Sequence, residues 1–190
     1  ILKKIPYQVA NDCWIAFSCE AEEHWGAISI CGTGNNLAVK DRAGTIHSVR
    51  GLRYALGNFG GGGHLAQMAL HHAFRCEEHT GPYTRLVREL PGFCGCASME
   101  ALAMRIYRSD YQYCKAFNIP KLVFDLALED EVCRELIRVM GQEVGTMVAG
   151  LIHKAGLGGE AVPVVLSGSQ YEKDDHGLLI GPVAQRLKES

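Results

Sequence analysis

The residues with the clearest chemical potential are Gly32, Thr33, Gly34 and Asn35, which stand between the apolar run at 26–31 and a second run that begins at Leu37. Backbone N–H groups freed by glycine, together with a short hydroxyl, can bond the oxygens of a phosphate with little steric cost. The same four residues would also suit a plain turn between two strands, in which threonine and asparagine bond locally.

Two further polar groups stand at the ends of apolar runs. Asn11 and Asp12 follow a short extended run and precede an apolar segment at helical spacing, where either could cap the helix. Ser167, Gly168 and Ser169 end the run "VPVVLSGSQ" near the C-terminus. Each group is explained equally well as the surface end of a strand or helix.

The spacing of the glycines matches neither of the two common nucleotide-binding motifs. "GTGNNL" lacks the third glycine of the dinucleotide fingerprint and continues as a strand rather than a helix. No Gly-Lys-Ser/Thr occurs, so the P-loop pattern is absent.

The elements that must position these residues follow from hydrophobic periodicity and turn residues. Strands are predicted over 26–31, 35–41, 45–50 and within 161–170, with a hairpin turn at 41–44. Helices are predicted after the glycine cluster at 57–63, from Ser98 onward, over 129–155 and at the C-terminus, where Pro182 starts or interrupts the last one. Strands followed by helices and a final strand-turn-helix unit indicate one α/β domain, 1–190, with a mixed sheet flanked by helices and a helix-rich C-terminal half.

The charge and composition of the sequence bear on its binding partners and its location. The net charge is −2 over 190 residues with mixed signs, which gives no electrostatic footprint for nucleic acid or an anionic membrane. The sequence lacks a signal peptide and a run of about 18 uncharged apolar residues. We expect a cytoplasmic protein with reduced thiols.

Two cysteine-containing groups invite a metal or redox interpretation. His72 and Cys76 are four apart on a predicted helix, but no second ligand pair follows, so a packed histidine and a core cysteine are expected. Cys94 and Cys96 could indicate redox chemistry, or could be incidental loop thiols. No resident metal site is predicted.

The order "VAND", "ICGTGNN", "RGLRYALGNFGGGGHLAQMAL", "GPYTRL", "VPVVLSGSQ" resembles the second lobe of the actin, sugar-kinase and heat-shock ATPase superfamily. Within it the chain looks like the branch of N-acetylglucosamine kinases and BadF/BadG-type ATPases, from about residue 8 to the end. The resemblance implies a ribonuclease-H-like lobe. It also implies an ATP-dependent kinase that transfers the γ-phosphoryl group to a hydroxyl of a sugar-like acceptor.

The resemblance assigns roles to the polar groups. Gly32, Thr33, Gly34 and Asn35 match the family's turn around the β- and γ-phosphates, and Asp12 matches the general base beside Asn11. Ser167, Gly168 and Ser169 stand where the family has a Gly-Gly turn against the adenosine. In the family's acceptor stretch Leu-Gly-Asp-Glu-Gly-Ser-Gly, this chain has Gly57, Asn58 and Phe59, so two acids are replaced.

The family's first lobe, which carries an aspartate acting through Mg²⁺, has no counterpart in these residues. We therefore expect a piece of a longer, homodimeric protein that uses ATP and Mg²⁺ and is inactive as this lobe alone. Two alternatives stay open: an ATPase that energises a partner dehydratase or reductase, and a non-catalytic nucleotide-binding module.

Overall fold

The computed structural model describes residues 24–52, 54–108 and 118–190. Within these ranges the order of elements is β1 (Gly26–Cys31), β2 (Asn35–Lys40), β3 (Ile46–Ser48), α1 (Gly62–Glu77), α2 (Leu86–Phe93), α3 (Met99–Arg108), α4 (Ile119–Leu126), α5 (Glu131–Lys154), β4 (Val164–Ser167) and α6 (Ile180–Lys188). Asn11, Asp12 and the strand-turn-helix predicted around them lie outside the described residues.

The strands form a mixed sheet in the order β3-β2-β1-β4, which confirms the predicted α/β class. Strand β1 pairs antiparallel with β2, where Ile28 lies opposite Ala38, and parallel with β4, where Ile28 lies opposite Val165. Since parallel strands end at the same edge of a sheet, the residues after Cys31 and after Ser167 emerge side by side.

The hairpin turn at 41–44 forms as predicted. Gly44 donates its N–H to the Asp41 carbonyl at 3.0 Å, and the Asp41 carboxylate accepts the Thr45 N–H at 2.8 Å. The Thr45 N–H and the nearby His47 ring hold the pKa of Asp41 below its usual range. Strand β3 is shorter than the predicted run over 45–50.

The core lies between one face of the sheet and the helices. Cys31, Leu37 and Val39 are fully buried on that face and join one apolar cluster with α5 residues such as Ile137 and Met140. Alternation along β1 and β2 sends every second side chain to this face.

The buried face of α5 agrees in part with the one that the sequence predicts. The apolar spacing over 129–155 predicts one face made of Val132, Leu136, Val139, Met140, Val144, Met147, Val148, Leu151 and Ile152. The structure buries Leu136, Met140, Val144, Val148 and Leu151 of this set. Val132, Val139, Met147 and Ile152 are only half-buried. The buried residues of α5 lie toward its glycines because α6 packs against that side of the helix. A Cβ on Gly141 would lie 2.6 Å from the carbonyl oxygen of Leu179, the residue before α6. The glycines that looked costly in a helix allow this close contact.

Three other details differ from expectation. Strand β4 is half-buried rather than buried. Helix α2 was not predicted at all, and it ends two residues after Pro91. The spacing of Leu102, Ile106 and Tyr107 predicts one apolar face for α3, but Tyr107 is 87% exposed.

Candidate functional site

A tight bend at residues 32–35 joins β1 to β2. The Gly32 N–H donates to the Gly34 carbonyl at 2.9 Å, and Thr33 and Gly34 are exposed. Within the described ranges, the backbone N–H groups of Thr33 and Gly34 have no hydrogen-bond partner. They are therefore available to an acceptor from outside.

Helix α1 holds this bend from behind. Its first two N–H groups, those of Gly62 and Gly63, donate to the carbonyls of Gly32 and Thr33, each at 2.8 Å. In a trans peptide the C=O and the N–H of the next residue point in opposite directions. Because both carbonyls point toward α1, the N–H groups of Thr33 and Gly34 point away from it.

Gly61 makes this close approach possible. Its φ of 84° lies in the left-handed region, and a Cβ there would lie 2.5 Å from the Gly34 carbonyl carbon. No side chain fits between Gly61 and Gly34, so backbone packing against the bend explains this glycine of the 60–63 run.

Two asparagine amides tie the bend to the segment before α1. Asn35 Nδ2 donates to the Phe59 carbonyl at 2.9 Å, and Asn58 Nδ2 donates to the Asn35 carbonyl at 3.0 Å. The Oδ1 atoms of both residues are buried and have no partner within the described part of the chain. Buried amide oxygens without partners are uncommon and point to a missing donor.

The turn after β4 lies directly beside the bend. The Gln170 N–H donates to the Cys31 carbonyl at 2.9 Å, and a Cβ on Gly168, whose φ is 105°, would lie 2.9 Å from that oxygen. Gln170 is 3% exposed, and its Oε1 atom is a third amide oxygen without a partner among the described residues.

Cys31 lies beneath the bend as a neutral thiol. Burial raises its pKa to about 11, although the Gly61 N–H bonded to its sulfur acts in the opposite direction. A thiol of this kind is inert as a nucleophile at neutral pH.

An aromatic cluster borders the site on the side of Phe59. The Phe59 ring is tilted over the His64 ring with centroids 4.1 Å apart, and Tyr54 packs edge-on against His64 at 5.2 Å. Burial lowers the pKa of His64. A cavity of about 500 Å³ beside the cluster is lined by Tyr54, Ala55, Gly57, Phe59 and Glu143.

The structure thus brings together three of the four predicted segments: the 32–35 bend, Gly57 with Asn58, and the turn that contains Ser167, Gly168 and Ser169. It does not describe Asn11 and Asp12. Sequence reasoning missed Gly61, Gly62 and Gln170 as parts of the same site. The run of four glycines was the available signal. It indicates that the backbone approaches another segment closely, but it does not identify that segment.

The possible metal ligands are not assembled into a site. Within residues 24–52, 54–108 and 118–190, no three His, Cys, Asp or Glu side chains are grouped to hold an ion. Cys76 accepts the Thr84 N–H at 3.4 Å. The Cys94 side chain is buried, with the residue 1% exposed, and the Cys96 thiol contacts Arg105. The two thiols are therefore not both exposed to a ligand that they could share.

The fold matches that of a solved protein structure. A crystal structure from Chromobacterium violaceum, of a protein provisionally named N-acetylglucosamine kinase, superposes with a TM-score of 0.70. The match covers 86% of this chain and 54% of the other, at 21% identity.

A curated protein is also similar in sequence. The N-acetyl-D-glucosamine kinase of Dictyostelium discoideum is 26% identical over 192 residues, which cover 99% of this chain and 60% of the relative. No protein-family model matches the chain. The two matches confirm the predicted resemblance to the N-acetylglucosamine kinase family, over somewhat more than half the length of these relatives. Among the described residues, no helix combines the length and apolar character needed to cross a bilayer.

Proposed function

We propose that this chain is the C-terminal, phosphate-binding lobe of an ATP-dependent kinase that phosphorylates a hydroxyl of an amino sugar or a similar ring. The observation that carries the proposal is the 32–35 bend, whose Thr33 and Gly34 N–H groups face away from α1 without partners in the described chain. Preorganised N–H groups bind phosphate oxygens without having to reorganise first.

The arrangement supports distinct roles for the neighbouring segments. In this proposal residues 32–35 bind the β- and γ-phosphates, and Ser167, Gly168 and Ser169 border the nucleoside. Asp12 takes the proton from the acceptor hydroxyl. The parallel pairing of β1 with β4 supports the first two roles, because it holds both turns at one edge of the sheet.

The acceptor is proposed to bind around Gly57 and Asn58. Asn58 uses its Nδ2 on the Asn35 carbonyl, and its buried Oδ1 has no partner among the described residues. Beside it, the cavity at Tyr54, Phe59 and Glu143 combines aromatic rings with a carboxylate. Such a surface suits the apolar face of a sugar ring whose hydroxyl or amino group reaches the acid.

The described site residues suit the phosphates better than a divalent cation. The bend and its groove offer N–H groups, hydroxyls and amides, and none of the groove's described residues is a carboxylate. Mg²⁺ prefers carboxylate and phosphate oxygens. When bound with ATP, it supplies charge neutralisation for phosphoryl transfer, and its protein ligand is proposed to lie outside this set.

The proposal is tested on the full natural chain with Mg-ATP and a panel of hexoses, hexosamines and N-acetylhexosamines. We expect phosphorylation of at least one amino sugar. Asp12→Asn should lower kcat by about 10²–10⁴-fold with ATP affinity unchanged, because a positioned general base contributes that much.

Thr33→Val should weaken ATP binding by roughly tenfold, as expected for one hydrogen bond to a charged group, while Thr33→Ser should not. Unchanged turnover in Asp12→Asn would exclude the assigned base. ATP hydrolysis that needs a redox partner and no acceptor would instead favour the partner-coupled ATPase.

A further inference from the structure

The exposed side of the 32–35 bend opens into a groove of about 710 Å³. The groove is lined by the bend with Asn36 and by the segment 48–51 that follows β3. The floor is formed by apolar sheet residues, among them Ile30 and Ala38. The groove is large enough for a polyphosphate chain with part of its nucleoside.

The segment 48–51 is fixed beside the bend by its backbone. The Val49 N–H donates to the Leu37 carbonyl at 3.2 Å, which extends the pairing with β2 beyond the end of β3. Gly51 has φ of 64°, and a Cβ there would lie 3.5 Å from Asn36 Oδ1. Arg50 lies between Val49 and Gly51 in this segment.

Arg50 is the one charged residue among the described residues that line the groove. Its side chain is exposed, and no carboxylate in the described chain forms an ion pair with it. The other arginine of this hairpin, Arg42, is paired with Glu160 at 2.8 Å and lies over the Trp25 ring. The two residues therefore differ in whether their charge is already compensated.

A nucleoside triphosphate brings several negative charges to the bend, and the bend itself offers only N–H dipoles. The P-loop solves the same problem with a lysine that reaches the β- and γ-phosphates. A guanidinium can bind two phosphate oxygens at once, stays charged at every working pH and is weakly hydrated. An uncompensated arginine in the same groove as the bend meets this requirement.

We propose that Arg50 is a substrate-contacting residue that binds the terminal phosphates of the nucleotide in the groove that it lines together with the 32–35 bend. This inference rests on the proposed function and extends it to a residue to which the resemblance assigns no role. The nucleotide would then be bound by the N–H donors of the bend and by one guanidinium.

The test is calorimetric titration of the full natural chain with Mg-ATP, Mg-ADP and adenosine. The variants are Arg50→Ala, Arg50→Lys and the matched surface control Arg42→Ala. We expect Arg50→Ala to weaken ATP binding by about 10- to 100-fold, as for loss of a charge-assisted pair, with a smaller loss for ADP and none for adenosine. Arg50→Lys should recover part of the loss, and Arg42→Ala should stay within about twofold of wild type.

The dependence of ATP affinity on ionic strength gives a second measurement. Because one ionic contact is removed, ATP affinity should depend less on ionic strength in Arg50→Ala than in wild type. Equal ATP affinity in wild type and Arg50→Ala would overturn the inference and leave the proposed function standing. An equal loss for all three ligands would also overturn it, because it would indicate a structural effect. Absence of ATP binding by the wild-type protein would overturn both proposals.

Discussion

The polar groups at the 32–35 bend and those around Asp130 are arranged in opposite ways. The Asp130 carboxylate is 4% exposed and accepts the Thr84 hydroxyl at 2.9 Å, the Arg85 N–H at 2.5 Å and the Cys133 N–H at 3.0 Å. At the bend, by contrast, the side-chain oxygens of Asn35, Asn58 and Gln170 have no partners within the described residues.

The difference separates a structural polar cluster from the one proposed to bind a nucleotide. Asp130 caps α5 and ties it to the loop before α2, so each of its bonds is made within the fold. A fully satisfied carboxylate of this kind rigidifies its neighbours. At the bend, the N–H groups of Thr33 and Gly34 are left for the proposed ligand, and the buried amide oxygens without partners cost stability.

The largest effect should come from removing the satisfied cluster. Asp130→Ala deletes a helix cap and leaves the Thr84 hydroxyl and the Arg85 N–H buried without an acceptor. We expect the free energy of unfolding to fall by about 3 kcal/mol or more, measured by urea denaturation. Asp130→Asn keeps the cap and should lose roughly half as much. A loss below about 0.5 kcal/mol in Asp130→Ala would contradict the structural role.

Two glycine variants distinguish the stability cost of backbone strain from that of backbone contact at the bend. Gly61→Ala and Gly57→Ala both place a side chain at a φ near 84°, but only the former meets the Gly34 backbone, while nothing lies within 4 Å of the latter. We expect Gly61→Ala to lose about 3 kcal/mol of stability and Gly57→Ala about 1 kcal/mol.

ATP titration of the same pair sharpens the distinction. Displacing the bend in Gly61→Ala should abolish measurable affinity, whereas Gly57→Ala should bind. Equal stability and equal binding in the two variants would show that the contact between α1 and the bend is unimportant.

The smallest effect concerns the thiol beneath the bend. The pKa of Cys31 is raised from 9.0 to about 11 in the folded protein, so the native state holds this proton more tightly than the unfolded chain. Stability from this group is fully present below pH 9 and is lost as the pH rises toward 11. Between pH 8 and pH 10 the loss should be roughly 1 kcal/mol.

Urea midpoints at the two pH values, compared between wild type and Cys31→Ala, measure this difference. The variant should be less stable at pH 8 but less sensitive to the change in pH. An identical slope in both proteins would show that Cys31 does not titrate as its burial requires.

Local sequence was enough for much of the fold. Strands β1 and β2 are apolar runs bounded by turn residues, and the 41–44 turn has the residues that such a turn needs. Helix α2 was missed because Pro91 and Gly92, both inside it, are local signals for a break, whereas Leu86 and Leu90 bury its apolar face in the core.

The site was only partly predictable for a related reason. Glycine and threonine at 32–34 signal a phosphate-type bend locally. The partners of the Asn35 and Asn58 amides lie more than 20 residues away in the chain, so their directions depend on the assembled fold. The close packing of Gly61 on Gly34 is likewise a tertiary contact that spacing alone cannot place.

The parallel pairing of β1 with β4 has a consequence for how the protein is made. All the helices from α1 to α5 lie between these two neighbouring strands in the sequence. During synthesis the hairpin of β1 and β2 emerges before the helices, yet the edge of β1 that pairs with β4 stays open until β4 has been made. Pairings between such distant segments form slowly. The nascent chain therefore exposes an unpaired edge of an apolar strand while helices α1 to α5 are made, and this interval is when aggregation would compete with folding.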